Sequence, residues 1–296
     1  MKVFSAGGSG LLGSTLSRVL VEAGYVVIQH STTGEYAGDF RKPEQVFSIL
    51  DRHMPDAIIN LIGMASVDGC EKQPDLAYQL NAGCLENIVD WVIARNGGPL
   101  IHISTDHVYD SKGLNVEDNV VLRNMYAMTK RCAELFAQRT NGVVLRTNFF
   151  GVSECKERVS FSDWLVSCML EGKKTNLFND VYFSPLTMQN FSELIRMILE
   201  KPISGVYNVG SINGMSKRDF AFCLAKHLGL NTSNFTESSI LETPFKERPR
   251  FMEMDCNLFQ NTYKISLPYV RATNTNTHYV RATNTNTQTK RIEKVN

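Results

Sequence analysis

The chain has 296 residues, 43% of them hydrophobic, and 31 Lys and Arg balance 30 Asp and Glu. This length predicts one large α/β unit with a smaller lobe. A net charge of +1 excludes a field that gathers nucleic acid or an anionic membrane, so we expect a small-molecule partner.

Strands and helices alternate through the first half of the sequence, with glycines between them. Strands are predicted at residues 2–5, 25–29, 56–61, 99–104 and 142–147, and helices at 11–23, 43–53, 77–95 and 126–139. The alternation predicts an α/β fold of the Rossmann type, with a doubly wound parallel sheet. We expect residues 1–150 to form an NAD(P)-binding domain.

The second half alternates less regularly. A helix at 191–200 and a strand at 205–209 are predicted to return to the main sheet, and the rest of 151–268 is expected to form mostly a smaller C-terminal substrate-binding lobe. Beyond it, YVRATNTNTH at 269–278 is repeated almost unchanged at 279–288. Two copies are too few for a solenoid, and Thr and Asn bury little apolar surface. We expect a disordered or weakly ordered tail at 269–296, either a simple-sequence expansion or a binding segment.

The spacing of the cysteines and the length of the apolar runs indicate the cellular compartment of the protein. The seven cysteines are scattered and have no C-x-x-C spacing, and no apolar run reaches signal or membrane length. The histidines have no H-x-H or H-x-x-x-H spacing, so no metal site is predicted. The sequence thus predicts a cytoplasmic protein with reduced thiols and leaves a homodimer open.

A glycine-rich turn connects the first strand to the first helix. Gly7, Gly10 and Gly13 have the spacing G-x-x-G-x-x-G. The first permits a tight turn, the second lets the backbone approach a pyrophosphate, and the third permits close helix packing. The turn predicts a dinucleotide site, with an ordinary turn as the alternative.

The end of the second strand usually distinguishes NADH from NADPH, through an acidic side chain on the adenosine ribose. His30 is followed by Ser31, Thr32 and Thr33, without a carboxylate to exclude NADPH and without an arginine to bind its phosphate. We expect NADPH or NADH, with a slight preference for NADPH. His30 either borders the cofactor or belongs to a solvated loop.

Tyr126 and Lys130 are spaced to lie on one face of a helix, which opens after the strand that ends before Thr105. Tyrosine has a pKa of about 10 and needs activation near neutrality, which we expect from the Lys130 ammonium. Thr105 can orient the substrate oxygen. These residues predict hydride transfer to a carbonyl, with Tyr126 as the proton donor.

With these motifs in place, the chain resembles the dTDP-4-keto-rhamnose reductase family of the extended short-chain dehydrogenases. The residues that carry the resemblance are 7–13, 38–40, Asn60 with 61–68, Asn81, 104–109, Tyr126, Lys130, 145–147 and 248–250. The resemblance implies reduction of a nucleotide-linked 4-keto-6-deoxy sugar in deoxysugar biosynthesis. It implies catalytic roles for Thr105, Tyr126 and Lys130.

The resemblance also assigns binding residues. For the cofactor they are Gly10, Leu11, Leu12, Asp39, Phe40, Gly63, Met64 and Ala65. On the substrate side, Asp106 lies beside the sugar, and Phe149 packs on it or is a core residue. Arg248 and Arg250 either hold the substrate diphosphate or form ion pairs between the lobes.

The chain departs from the family at His107, where tyrosine is usual, and at 61–64, where small alanines are usual. These departures leave the exact sugar open. Two other functions stay open as well. One is a nucleotide-sugar epimerase, and the other is a non-catalytic dinucleotide-binding subunit like the regulatory subunit of methionine adenosyltransferase.

Overall fold

A computed structural model describes residues 1–155, 158–245 and 247–270. In chain order the strands are β1 (Lys2–Ala6), β2 (Val26–His30), β3 (Ala57–Asn60), β4 (Leu100–Ile103), β5 (Val143–Arg146), β6 (Phe149–Phe150), β7 (Thr175–Phe178), β8 (Tyr182–Phe183), β9 (Leu186–Thr187), β10 (Gly205–Asn208), β11 (Met215–Ser216), β12 (Phe235–Ser238) and β13 (Phe251–Met252). The α-helices are α1 (Leu11–Glu22), α2 (Pro43–His53), α3 (Val67–Lys72), α4 (Pro74–Tyr78), α5 (Cys84–Arg95), α6 (Met125–Gln138), α7 (Phe161–Leu170), α8 (Met188–Glu200), α9 (Lys217–Leu228) and α10 (Asn257–Tyr263).

The main sheet is parallel and has the strand order β10-β5-β4-β3-β1-β2. Every residue of β3, β4 and β5 is buried. Helices cover both faces of such a sheet, so its strands are apolar almost throughout. The α/β fold predicted from the alternating pattern is therefore confirmed.

Separate apolar cores lie on the two faces of the sheet. On one face α1 packs against α8 through residues such as Leu16 and Phe191. On the other face α2, α5 and α6 pack through residues such as Leu50, Ile88 and Ala133. Helix α1, after β1, therefore covers one face of the sheet, and α2, before β3, covers the other. This change of face opens a crevice at the carboxyl ends of β1 and β3.

The helix predicted at 77–95 is interrupted in the structure. It consists of α4, a π-helical turn at Gln79–Gly83, and α5. Such turns within helices are frequent at functional sites. Buried Asn81 lies in this turn and lines the cavity described below.

The smaller lobe draws on two stretches of chain, 149–187 and 215–252, with α8 and β10 between them in the main layers. Its core includes Phe150, Phe183 and Phe220, whose rings meet edge to face. Short paired strands frame this core: β6 with β9, β7 with β12, and β11-β8-β13.

The predicted tail lies mostly outside the described residues, which end at 270. Its first two residues extend the fold: Tyr269 forms a parallel bridge with Ile212, and the Val270 N–H donates to the Ile212 carbonyl at 3.3 Å. Val270 is buried.

Candidate active site

The glycine turn between β1 and α1 has the geometry of a dinucleotide loop. Gly7 has a φ of +77°, a conformation that suits glycine. A Cβ on Gly13 would lie 2.0 Å from the Gly8 carbonyl oxygen, so only glycine lets α1 approach this closely. At Gly10 the nearest atom to such a Cβ is the Gly7 carbonyl oxygen, at 3.3 Å. Few atoms therefore surround the Gly10 backbone, so a ligand can approach it closely.

The N-terminus of α1 is electrostatically suited to an anion. Its N-cap is Gly10, which has no side chain to accept a hydrogen bond, and its first turn has no acidic residue. The amides of Leu11 and Leu12 open this first turn, and both residues line the cavity described below. A helix N-terminus of this kind favours phosphate oxygens.

His30 ends β2 and is buried, which excludes the solvated-loop interpretation. The Gly7 N–H donates to its Nδ1 at 3.4 Å, and its Nε2 lies 3.0 Å from the Gly38 carbonyl oxygen. Its ring is 3.8 Å from that of Phe40, centroid to centroid. Burial lowers the pKa of His30. The neutral ring therefore links the glycine turn to the loop after β2.

Sequence reasoning missed a cation at this end of the site. Arg41 forms a bidentate ion pair with Asp39, with Nε to Oδ1 at 2.8 Å and Nη2 to Oδ2 at 2.7 Å. Both side chains line the cavity together with Ser31 and Thr32. No arginine follows β2 directly in the sequence, but the end of the loop brings Arg41 to this position. Phe40 lies between Asp39 and Arg41 and is buried.

Asn81 fixes the segment after β3. Its Oδ1 accepts from the Met64 N–H at 2.6 Å, and its Nδ2 donates to the Thr129 hydroxyl at 2.9 Å. Thr129 belongs to α6, so one amide joins the loop at 63–65 to the helix that carries Tyr126. Gly63 and Ala65 line the cavity, whereas Met64 does not.

Helix α6 begins at a defined point because Asn124 caps it, accepting from the Ala127 N–H at 2.9 Å. Further along, the buried carboxylate of Glu134 pairs with Arg146 of β5, with Oε2 to Nη2 at 2.6 Å. Cap and ion pair hold both ends of the segment that carries Tyr126 and Lys130.

Lys130 lines the cavity and is held there by hydrogen bonds. Its Nζ donates to the Ile103 carbonyl at 2.7 Å and lies 3.4 Å from Nε2 of buried His102. Burial lowers the pKa of Lys130 to about 8, while Glu134 acts to raise it. The ammonium is therefore the main form at neutral pH.

Tyr126 lies one helical turn before Lys130 and lines the same cavity. Burial raises its pKa to about 12, and a hydrogen bond with the Thr105 side chain acts to lower it. The expectation that the Lys130 ammonium activates Tyr126 stays a prediction. The His107 ring packs edge-on against the Tyr126 ring, with centroids 5.4 Å apart.

Asp106 follows Thr105 and is fully buried. Its Oδ2 accepts from the Asn148 side-chain amide at 3.0 Å, and the Thr105 hydroxyl lies 3.4 Å from its Oδ1. Burial raises the pKa of Asp106 to about 6, and the Lys217 ammonium acts to lower it. Lys217 comes from the smaller lobe and is a second residue that sequence reasoning missed.

Phe149 is partly buried, stacks on Phe191 at 6.2 Å between centroids, and lines the cavity. Both predicted arginines form ion pairs. Arg248 pairs with Asp68 of α3 at 2.6 Å, across the lobes, and Arg250 pairs with Asp180 of the smaller lobe at 3.2 Å. Each also has a buried Nε without a partner in the described part of the chain.

A cavity of about 680 Å³ brings most of these predicted residues together. From the cofactor set it is lined by Gly7, Gly10, Leu11, Leu12, Gly13, His30, Asp39, Phe40, Gly63, Ala65, Tyr126 and Lys130. Thr105, Asp106, Arg248 and Arg250 are not part of its lining. The cavity thus extends from the glycine turn at one end to Tyr126 and Lys130 at the other.

Two further properties concern the described residues alone. No three His, Cys, Asp or Glu side chains within them come together to hold a metal ion. None of the helices in these stretches has the length and apolarity to cross a membrane.

Known proteins resemble this chain over nearly its whole length. The profile described as RmlD substrate binding domain matches residues 1–279. A probable low-salt glycan biosynthesis reductase of Haloferax volcanii is 28% identical, covering 90% of this chain and 94% of the relative. The dTDP-4-dehydrorhamnose reductase of Shigella flexneri is 26% identical, with the same two coverages. The structure of dTDP-4-dehydrorhamnose reductase from Bacillus anthracis in complex with NADP has a TM-score of 0.85 at 22% identity, covering 92% of this chain and 96% of that one.

Proposed function

The chain belongs to the family of the RmlD substrate binding domain, within the extended short-chain dehydrogenases, and we propose that it reduces a nucleotide-linked 4-keto-6-deoxy sugar. It is an NAD(P)H-dependent oxidoreductase of that type. The observation that carries the proposal is the single cavity that joins the glycine turn to Tyr126 and Lys130. The relatives named dTDP-4-dehydrorhamnose reductase support deoxysugar biosynthesis as the setting.

The residues can hold a dinucleotide. The pyrophosphate would lie on Gly10, Leu11 and Leu12 at the N-terminus of α1, and the nicotinamide end would reach Lys130 and Tyr126. Asn81 keeps the loop at 63–65 against α6, so both walls of this end are fixed by one side chain. When bound, the reduced cofactor supplies the hydride.

The pKa of Tyr126 suits reduction. With its pKa raised to about 12 by burial, its phenol is protonated throughout the physiological range. A protonated phenol can donate to a substrate oxygen that gains negative charge, and the Thr105 hydroxyl can orient that oxygen. Lys130, held by the Ile103 carbonyl, supplies a positive charge one turn below.

We propose NADPH as the preferred cofactor because of the residues at the β2 end of the cavity. His30 replaces a carboxylate that would repel a 2′-phosphate, and Arg41 lies beside Ser31 and Thr32. A guanidinium can bind phosphate oxygens in a bidentate manner. The exposed pair with Asp39 is weak enough to exchange for this contact.

The remaining substrate residues come from the ends of β4 and β5 and from the smaller lobe. We propose that Thr105, Asp106 and Phe149 border the sugar, and that Arg248 and Arg250 lie towards the diphosphate. Arg248 is the better supported of the two arginines. It crosses from the smaller lobe to α3, and its charge acts on His107 beside Tyr126.

A non-catalytic regulatory subunit is less well supported, because such a subunit needs neither a buried ammonium nor a protonated phenol in its dinucleotide cavity. We further propose the cytoplasm as the compartment, supported by seven free cysteines. A homodimer stays a proposal. The exposed Met128 and Leu135 on α6 are compatible with it.

The direct test is a panel assay. The purified protein is mixed with NADPH or NADH and with dTDP-, UDP- and GDP-linked 4-keto-6-deoxy sugars, and absorbance of the reduced cofactor is followed. We expect oxidation with at least one sugar. Tight cofactor binding without oxidation in any mixture would contradict the reductase function and favour the regulatory one.

A further inference from the structure

His102 lies in the middle of the main sheet and contacts the helix that carries the catalytic residues. It is fully buried on β4, directly paired with Asn60 of β3 on one side and with Val144 of β5 on the other. Burial and the Lys130 charge lower the pKa of His102 well below its usual range, so its ring is neutral. A neutral imidazole has one N–H donor and one acceptor nitrogen. The polar neighbours of His102 therefore decide which nitrogen carries the proton.

A backbone N–H fixes the position of this proton. The Ile62 N–H donates to Oδ1 of Asn60 at 3.3 Å, so the amide oxygen of Asn60 is turned towards the loop after β3. Its Nδ2 then faces Nδ1 of His102 at 3.0 Å. Because an amide nitrogen only donates, Nδ1 must accept this hydrogen bond. The ring proton of His102 is thus on Nε2.

This Nε2–H faces Lys130, whose Nζ lies 3.4 Å away. An ammonium has donors and no acceptor, whereas an uncharged amine has a lone pair that can accept from Nε2–H. The Ile103 carbonyl, at 2.7 Å from Nζ, can accept from Lys130 in either form. The contact with His102 therefore stabilises the amine of Lys130 relative to the ammonium.

Other titratable groups near this pair come from α6, β5 and α5. They are Tyr126, Glu134, Arg146 and Cys84. Tyr126 and Cys84 are neutral, because burial raises the pKa of each to about 12. The Glu134 carboxylate acts to raise the pKa of Lys130, but it is also paired with Arg146 at 2.6 Å. His102 and Glu134 thus act on Lys130 in opposite directions.

We propose that His102, oriented by Asn60, is a positioning residue that helps Lys130 to release its proton during turnover. The inference rests on the proposed function, in which Tyr126 gives its phenol proton to the substrate oxygen and is left as a phenolate. The Lys130 ammonium, one helical turn away, can return a proton to this phenolate. The amine that remains then accepts from Nε2–H of His102. Lys130 lines the cavity and regains its proton from solvent there.

The first measurement is the tautomer of His102 in the wild-type chain. NMR of ¹⁵N-labelled histidine distinguishes a protonated ring nitrogen from an unprotonated one, and His102→Gln identifies the signals of this residue among the six histidines. We expect the proton on Nε2. A proton on Nδ1 would overturn the inference. The measurement needs neither cofactor nor sugar, so it is independent of the panel assay.

The second measurement reverses the ring. Asn60→Asp replaces the amide donor by a carboxylate that accepts from Nδ1–H, so that Nε2 becomes an acceptor for the Lys130 ammonium. The pKa of Lys130 should then rise by about one pH unit, as for the gain of a hydrogen bond to a charged group. NMR titration of ¹³C-labelled lysine measures it, with the signal of Lys130 identified by Lys130→Met. Because Lys130 keeps its charge to higher pH, the alkaline limb of turnover should move up by the same amount.

The control is Asn190→Asp, on α8 at the other face of the sheet, which adds the same charge and should leave both values unchanged. Thermal melting checks that each variant is folded. If Asn60→Asp does not fold, the wild-type tautomer of His102 still decides the inference.

A Lys130 pKa that stays at its wild-type value in Asn60→Asp would contradict the role of His102. A rise without a change of tautomer would contradict it as well, because the new carboxylate would then act through its charge alone. A wild type that turns over no sugar would count against the reductase function, while both NMR measurements would still decide the role of His102.

Discussion

Replacing Arg41 by Ala should change the preference between NADPH and NADH while leaving the chemistry intact. Arg41 lines the β2 end of the cavity beside Ser31 and Thr32, far from Tyr126 along the cavity. A charge-assisted contact with phosphate stabilises by about 1.5–3 kcal/mol. Leaving Asp39 costs up to about 1 kcal/mol, because both partners of this pair are partly exposed.

The net effect is therefore about 0.5–3 kcal/mol, which corresponds to about 2- to 150-fold in NADPH affinity. Fluorescence titration with NADPH and NADH measures both dissociation constants. Arg41→Ala should weaken NADPH by this factor and leave NADH nearly unchanged. Arg52→Ala, at an exposed position of α2, is the control. Equal weakening of both cofactors, or of neither, would refute the assignment of Arg41 to the 2′-phosphate.

Three further predictions follow from α6 and its surroundings. Turnover should fall above about pH 8, where Lys130 loses its proton, and a rate that stays flat to high pH would show that its charge is not needed. Arg146→Met should lower the free energy of unfolding by about 3 kcal/mol in urea titration, since it removes the fully buried partner of the Glu134 carboxylate and leaves it only Arg131 and Ser104. Asn124→Ala should lower the free energy of unfolding by about 1 kcal/mol in the same assay and should reduce kcat. An unchanged kcat would show that the cap is not needed to position Tyr126.

Local sequence patterns predicted the parts of the site that adjacent residues build. The glycine turn lies between β1 and α1, and Tyr126 and Lys130 lie one turn apart on α6, so spacing alone is informative. The apolar runs of β3 and β4 likewise indicate buried parallel strands. The structure agrees with the sequence at each of these points.

The residues that were missed reach the site through the fold. Arg41 arrives at the end of a loop that leaves β2 and returns beside Ser31, and Lys217 of the smaller lobe acts on the pKa of Asp106 through its charge. No spacing in the sequence encodes such an approach. His30 shows the reverse case: its position was predicted, but its burial depends on Phe40 and on the carbonyl of Gly38.

The activation of Tyr126 also depends on the folded environment. The spacing of Tyr126 and Lys130 suggests that the ammonium lowers the pKa of the phenol. In the structure Lys130 is engaged by the Ile103 carbonyl, and burial keeps the phenol protonated. Tyr126 keeps the role of proton donor that the sequence predicts, and in this environment its phenol needs no ionisation before the reaction.

Transfer of deuterium tests the central claim most directly. The protein is incubated with NADPH deuterated at the transferable position of the nicotinamide and with the 4-keto-6-deoxy sugar nucleotide that the panel assay selects, and the product is analysed by mass spectrometry. We predict one deuterium on the former carbonyl carbon of the sugar with wild type, and loss of most product with Tyr126→Phe despite unchanged NADPH binding. Product without deuterium, or full turnover by Tyr126→Phe, would contradict the account.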